Sequence, residues 1–182
     1  MKQEDLSRRS FLKRTLALTA ATAIPSFWIP AKGMTPRVSA NDKVNIAFIG
    51  IGQRGGEIAK ELYNTGLCNV VALCDVDMGA PHTQEIMNMF PKAERFQDFR
   101  TMFDRIANKI DAVTVGVPDH SHFPITIEAM AHGKHVYVEK PMARTFEEIE
   151  IMMRAAKRYG VVTQMGNQGH SEANYFQFKA WK

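Results

Sequence analysis

The sequence contains a glycine-rich segment of the kind that binds phosphate groups. Residues 50–55 read Gly-Ile-Gly-Gln-Arg-Gly and follow a short apolar run at 44–49. In a G-x-G-x-x-G loop the first glycine permits a tight turn, the second lets a pyrophosphate approach the backbone, and the third lets the next helix pack closely. The N-terminus of that helix offers free N–H groups and a partial positive charge. We therefore predict that a dinucleotide contacts Gly50, Gly52, Gln53, Arg54 and Gly55.

A carboxylate after the next apolar run points to the identity of the dinucleotide. Asp75 directly follows residues 70–74. An acidic side chain there accepts hydrogen bonds from the ribose hydroxyls, and its charge repels a 2′-phosphate. The pattern favours NAD over NADP, a bias that Asp77 reinforces and Arg54 softens. The absence of Gly-Lys-Ser/Thr excludes a P-loop, whereas binding of S-adenosylmethionine stays open as a minor alternative.

These residues need a scaffold of strands that alternate with helices. Short apolar runs predict buried parallel strands at 44–49, 70–74, 112–115, 135–138 and 161–165. Apolar residues at helical spacing predict helices at 58–63, 81–90, 99–106, 124–131 and 146–159. Thr145 with Glu148 three residues on predicts a capping box at the last of these helices. The fold class is therefore α/β, a doubly wound parallel-sheet Rossmann fold.

The first 40 residues have the pattern of an export signal. Ser-Arg-Arg-Ser-Phe-Leu-Lys at 7–13 precedes a short apolar segment, and Val-Ser-Ala at 38–40 is a cleavage site, which leaves Asn41 as the mature N-terminus. This arrangement matches a twin-arginine (Tat) signal, so we predict export to the periplasm or beyond. No segment has the roughly 18–20 apolar residues of a spanning helix, so no stable membrane insertion is expected after cleavage.

The basic character of the chain resides in this leader. Residues 1–40 hold 7 of the 23 basic side chains and 2 of the 19 acidic ones, so the rest carries 16 basic and 17 acidic residues, a net charge of −1. The body therefore lacks the electrostatic footprint of a nucleic-acid-binding protein. Cys68 and Cys74 are expected to be unpaired thiols, since an extended separation of six residues exceeds the span of a disulfide. No pattern predicts a metal site.

Three later segments carry a family resemblance. Residues 117–122 read Val-Pro-Asp-His-Ser-His and residues 139–141 read Glu-Lys-Pro, while residues 165–171 read Met-Gly-Asn-Gln-Gly-His-Ser. With the glycine loop and Asp75, these segments resemble the Gfo/Idh/MocA oxidoreductase family, of which Glu-Lys-Pro is a hallmark. The resemblance covers Lys43 to Ser171 and implies an NAD-binding domain over residues 41–171.

The resemblance also implies roles for single residues. The family lysine that approaches the nicotinamide and the substrate hydroxyl matches Lys140, which becomes the candidate catalytic residue. Glu139 is expected to form a hydrogen bond with the ribose on the nicotinamide side or to orient Lys140. The remaining candidates for the cofactor site are Pro118, His120, Asn167 and Gln168. His122 and His170 stay open between a site role and simple packing.

The resemblance further implies a second α/β domain that forms the substrate pocket and often the oligomer interface. The chain ends at Lys182, so we expect residues 172–182 to be the truncated start of the connection to a missing domain, and the full-length form to be a homo-oligomer. The predicted activity is hydride transfer between a sugar or polyol carbinol and NAD, with little turnover by this fragment. A glycoside hydrolase or lyase that oxidises its sugar transiently and a non-catalytic nucleotide-binding module are the alternatives.

Overall fold

A computed structural model of the chain describes residues 42–170 and 173–181. The predicted leader at 1–40 lies outside the described residues. In the part that is described, no helix is long and apolar enough to cross a membrane.

Strands and helices alternate along the described chain. The strands are β1 (Val44–Ile49), β2 (Cys68–Cys74), β3 (Glu94–Phe96), β4 (Ala112–Val115), β5 (His135–Glu139) and β6 (Thr163–Gly166). The helices are α1 (Gln53–Asn64), α2 (Pro81–Met89), α3 (Phe99–Ile106), α4 (His122–Ala131), α5 (Phe146–Tyr159) and α6 (Ala173–Ala180). Short 3₁₀ turns lie at Ala107–Lys109, Asp119–Ser121 and Gln168–His170.

The strands form one parallel sheet in the order β3-β2-β1-β4-β5-β6. The chain moves outward from β1 to β3, returns to the centre at β4 and then continues outward to β6. The strand order therefore reverses between β1 and β4, and ligands of open α/β sheets bind in the crevice beyond the carboxyl ends at this position. The predicted doubly wound Rossmann fold is confirmed.

Side chains on the two faces of the sheet enter separate cores, which explains why the strands are apolar throughout. Along β1, Ile46 and Phe48 pack in one core with residues of α1 and α2. Ala47 and Ile49 pack in the other core with residues of α3, α4 and α5. Because successive side chains of a strand point to opposite faces, a strand covered on both faces shows no alternation of apolar and polar residues.

Besides small shifts at the ends of several elements, the structure differs from the sequence predictions at three places. It adds β3, whose three residues Glu-Arg-Phe bury only Phe96 completely and so give little apolar signal. β6 begins at Thr163 and not at residue 161, and the Val162 side chain is largely exposed. The Thr145 hydroxyl accepts a hydrogen bond from the Glu148 N–H at 3.2 Å as predicted, but the Glu148 carboxylate reaches back to the Arg144 N–H at 2.8 Å. The backbone and side chain of Arg144 thereby lower the pKa of Glu148.

Candidate cofactor site

The glycine loop between β1 and α1 is held so tightly that side chains are excluded from two of its positions. Gly50 has φ +80°, a backbone conformation that favours glycine, and its N–H donates to the Cys74 carbonyl at 2.8 Å. A Cβ on Gly55 would lie 2.1 Å from the Gly50 carbonyl oxygen and 3.1 Å from that of Gly116. The first glycine therefore makes the turn, and Gly55 brings the start of α1 against the ends of β1 and β4.

The residue that begins α1 has an unusual backbone. Gln53 has φ +35° and is the one non-glycine residue of the described chain with positive φ. Such conformations cost of order 1–3 kcal/mol and cluster at ligand-binding turns. The Gln53 side chain is exposed and lines the cleft beside Gly52. No sequence signal indicated this strain.

The Asp75 carboxylate organises the same turn from β2. One of its oxygens accepts the Ile51 N–H at 2.9 Å, and the other accepts the Asp77 N–H at 3.0 Å. A carboxylate has about four acceptor positions, so both oxygens retain capacity for ribose hydroxyls. Asp75 is half-buried at the edge of the cleft. The residue thus fixes the loop and keeps free lone pairs at the position predicted for the ribose.

A cleft of about 640 Å³ opens at the carboxyl ends of β1, β2 and β4. Seven of the predicted cofactor residues line it, namely Gly50, Gly52, Gln53, Arg54, Asp75, Pro118 and His120. Gly55 is buried behind the loop. Four others do not line this cleft: Glu139 ends β5, Lys140 follows it, and Asn167 and Gln168 follow β6.

Glu139 connects the glycine loop with the Glu-Lys-Pro turn. This residue is 4% exposed, and its Oε1 accepts a hydrogen bond from Arg54 Nε at 3.2 Å. Its other oxygen lies 3.3 Å from the Lys140 backbone N–H. The second bond of Arg54 goes to Glu57 at 2.9 Å. Glu139 therefore engages the backbone of Lys140 and the guanidinium of the glycine loop, an ion pair that the sequence analysis did not predict.

Gly166 makes room for that carboxylate. It pairs with Glu139 across β5 and β6, and a Cβ on Gly166 would lie 2.5 Å from Glu139 Oε1 and 2.8 Å from the Tyr137 hydroxyl. Burial and the nearby Glu139 carboxylate raise the pKa of Tyr137. No local motif indicated that Gly166 makes room for the Glu139 carboxylate, since pairing across strands is not visible in a linear sequence.

Lys140 and Asn167 follow paired residues at the ends of β5 and β6, so the two backbones emerge side by side. Both residues are exposed. Gln168 is half-buried, and its amide oxygen is buried with no hydrogen-bond partner among the described residues. These three residues thus follow the neighbouring strands β5 and β6, beside the ends of β1, β2 and β4 that form the cleft around Asp75.

His82 lines the cleft although no motif singled it out. A Cβ on Gly52 would lie 2.6 Å from its Cδ2 atom, so the imidazole packs directly over the second glycine of the loop. Its Nε2 is 3.7 Å from an oxygen of Asp77. The position at the start of α2, soon after Asp75, is the only local signal that could have indicated it.

Both cysteines lie in the interior of the fold. Cys68 and Cys74 are free, buried thiols, and burial together with the Asp75 and Asp98 carboxylates raises the pKa of Cys74 to about 12. Within residues 42–170 and 173–181 no cluster of three or more His, Cys, Asp or Glu side chains could hold a metal ion.

The residues of the cleft fit a dinucleotide. The glycines of the loop contribute no side chains of their own at the start of α1, where the free N–H groups of the helix could bind a pyrophosphate beside His82. Asp75 offers acceptors at the end of β2 for a ribose. The match of the loop, the carboxylate and the strand-order reversal in one cleft is the arrangement of a nicotinamide dinucleotide site.

Comparison with known proteins agrees with this geometry. Residues 44–167 match the family model of GFO_IDH_MocA, described as "Oxidoreductase family, NAD-binding Rossmann fold". The chain belongs to the Gfo/Idh/MocA oxidoreductase family. Its NAD-binding Rossmann domain accounts for almost all of the described residues.

Some proteins similar to this chain are named as glycoside hydrolases and others as dehydrogenases. A glycosyl hydrolase family 109 protein of Shewanella pealeana is 29% identical over 100% of this chain and 46% of its own length. An alpha-N-acetylgalactosaminidase of Shewanella oneidensis is 28% identical over 98% of this chain and 48% of its own length. The crystal structure of myo-inositol 2-dehydrogenase from Lactobacillus plantarum matches with a TM-score of 0.67 and 26% identity, over 76% of this chain and 40% of that one. The chain thus spans about half the length of the curated relatives it matches.

Proposed function

We propose that this chain is the cofactor-binding part of an enzyme that transfers a hydride between a sugar or polyol carbinol and NAD. The observation that carries the proposal is the position of Lys140, which directly follows β5. In the sheet β5 pairs with β4, and the loop that follows β4 lines the cofactor cleft. When bound, the nicotinamide supplies the hydride acceptor or donor. The name of the myo-inositol dehydrogenase relative supports a polyol substrate.

Lys140 is the residue proposed to move the proton. Its exposed ammonium emerges at the carboxyl edge of the sheet, where a substrate hydroxyl can reach it. Glu139 holds the Lys140 backbone through the contact at 3.3 Å and so orients the turn. Asn167 and Gln168 follow the adjacent strand and are proposed to line the nicotinamide end of the site.

NAD is the proposed cofactor in preference to NADP. Asp75 and Asp77 both line the cleft at the end of β2, where a 2′-phosphate would meet two carboxylates. The cation of the loop, Arg54, is directed to Glu57 and Glu139. Its guanidinium is therefore already neutralised by two acidic side chains.

A second candidate is redox-neutral cleavage of a glycoside. The names of the two Shewanella relatives favour it. In such a reaction the sugar carbinol would give its hydride to the nicotinamide, elimination would release the aglycone with a proton, water would add to the resulting double bond, and the hydride would return to the sugar, so no net oxidation would occur. Export through the proposed Tat signal would suit an enzyme that recycles its bound cofactor. If that signal operates, replacing Arg8 and Arg9 by lysine should abolish export. The intact Glu-Lys-Pro turn favours the dehydrogenase.

The cofactor assignment is tested by calorimetric titration of the full chain with NAD and with NADP. We expect NAD to bind more tightly, and Asp75→Asn to weaken NAD about tenfold or more, since one hydrogen bond to a charged group contributes about 1.5–3 kcal/mol. Asp111→Asn is the matched control. The Asp111 carboxylate also accepts a hydrogen bond from a backbone N–H, that of Asn45 at 2.8 Å, but Asp111 precedes β4 and so lies at the opposite edge of the sheet from the cleft. Tighter binding of NADP, or equal losses in both variants, would refute the assignment.

A further inference from the structure

The first residue of α4 is a histidine whose ring is enclosed between two backbone carbonyls. His122 is 1% exposed. Its Nδ1 lies 2.6 Å from the Pro141 carbonyl oxygen, and its Nε2 lies 2.8 Å from the Val117 carbonyl oxygen. Both distances are those of hydrogen bonds.

Two carbonyl partners determine what the ring must donate. A carbonyl oxygen only accepts hydrogen bonds, and a neutral imidazole carries one N–H, so both contacts are satisfied only when both ring nitrogens are protonated. Among the described residues no carboxylate forms a hydrogen bond or ion pair with the ring, and neither carbonyl has another protein donor. A ring with one N–H would leave a buried carbonyl unpaired, at a cost similar to what one hydrogen bond from a charged group contributes, whereas a charged ring forms two such bonds, which together oppose the cost of burying the charge.

The two carbonyls belong to the segments that carry the cofactor and proton-transfer residues. Val117 precedes Pro118, which lines the cleft, and Pro141 follows Lys140. The segments leave β4 and β5, which pair through Val115 and Val138. The ring therefore spans the gap between the loop after β4 and the Glu-Lys-Pro turn after β5.

We propose that His122 is a positioning residue that donates from both ring nitrogens and so holds the loop after β4 and the Glu-Lys-Pro turn at a fixed separation. His122 thereby fixes the position of Lys140 relative to Pro118 without touching the cofactor or the substrate. The role of this spacing in the reaction rests on the proposed function, whereas the double donation does not. His120, two residues earlier, is exposed and lines the cleft, so the two histidines of this motif have different tasks.

The double donation is tested by NMR of the full chain labelled with ¹⁵N in its 6 histidines, at neutral pH and without NAD. Ring N–H protons of exposed histidines exchange rapidly with water, whereas buried, hydrogen-bonded ones persist. We expect two persistent ring N–H signals on the histidine that through-bond correlation assigns to residue 122, and their loss in His122→Gln. A single persistent N–H on His122 would overturn the proposal.

The positioning role is tested with His122→Gln against His132→Gln. His132 follows the other end of α4, about 15 Å away along a helix of 10 residues, where its ring stacks on Phe103. Without NAD, the amide signals of Val117 and Lys140 should shift in His122→Gln and stay in place in His132→Gln. NAD affinity should fall about tenfold in His122→Gln alone, because a glutamine amide cannot reach both carbonyls.

These readouts separate the two proposals. Unchanged Val117 and Lys140 signals, or unchanged NAD affinity, in a folded His122→Gln would overturn the positioning role. If the variant does not fold, the ring signals of the unaltered chain still decide whether His122 donates twice. Failure of the unaltered chain to bind NAD would instead refute the proposed function.

Discussion

Gly55→Ala is the substitution whose effect follows most directly from the geometry of the glycine loop. The added Cβ would lie 2.1 Å from the Gly50 carbonyl oxygen, whereas real Cβ atoms do not approach within 3.0 Å, so α1 must move by at least about 0.9 Å. The Cβ position is fixed by the backbone and the oxygen is a backbone atom, so no rotamer change relieves the contact.

The cost combines two opposing effects. Overpacking of a tight core costs about 1–3 kcal/mol, and replacing glycine by alanine within a helix returns up to about 1 kcal/mol. The net loss should be near 2 kcal/mol, which lowers Tm by roughly 4–8 °C for a chain of this size. Because the displaced helix carries the N–H groups that face the pyrophosphate, NAD affinity should also fall about tenfold.

Thermal unfolding and NAD titration of three alanine variants test this reasoning. At Gly56 the Cβ would meet the Ile51 carbonyl oxygen at 2.9 Å, and at Gly169 its nearest neighbour is Asn167 Oδ1 at 3.9 Å. The loss of stability should therefore decrease from Gly55→Ala to Gly56→Ala to Gly169→Ala. A Gly55→Ala variant as stable as the unaltered chain, or one that binds NAD equally well, would refute the close packing of α1 on the strand ends.

Two further predictions concern groups around the cleft. In urea unfolding, Arg54→Met should destabilise the fold more than Glu139→Gln, because it leaves the buried Glu139 carboxylate without its ion-pair partner. We expect the free energy of unfolding to fall by about 2 kcal/mol. This is less than the 3–5 kcal/mol of fully buried pairs, since the Arg54 side chain is 31% exposed. The reverse order would show that Glu139 does not depend on Arg54. The second prediction concerns Cys74, whose pKa of about 12 in the folded chain lies above the ordinary value of 9.0. As pH rises, the thiol therefore loses its proton in the unfolded chain first. The free energy of unfolding should fall between pH 9 and pH 12, by up to about 1.4 kcal/mol per pH unit. Urea titrations at several pH values should show a smaller decline for Cys74→Ala, and identical declines would contradict the burial of this thiol.

Local patterns determined much of the fold and one half of the site. Continuous apolar runs identify the inner parallel strands because both faces of such a sheet are covered, but they do not identify the edge strand β3 or the start of the edge strand β6. The glycine spacing and Asp75 are likewise local, since the turn, the helix start and the next strand end are consecutive in the chain. These features needed no knowledge of distant contacts.

The other half of the site was decided by tertiary structure. The Arg54–Glu139 ion pair joins residues 85 positions apart, and the His122 ring joins loops that leave different strands. Gly166 is required because Glu139 lies opposite it in the sheet, and His82 reaches Gly52 because α2 returns beside the loop. The sequence by itself predicted most of the residues that line the cleft from the glycine loop, Asp75 and the segment at 117–122, since those follow local motifs. Which side chains hold them in place depends on strand order and register, and only the packed sheet brings these distant segments together.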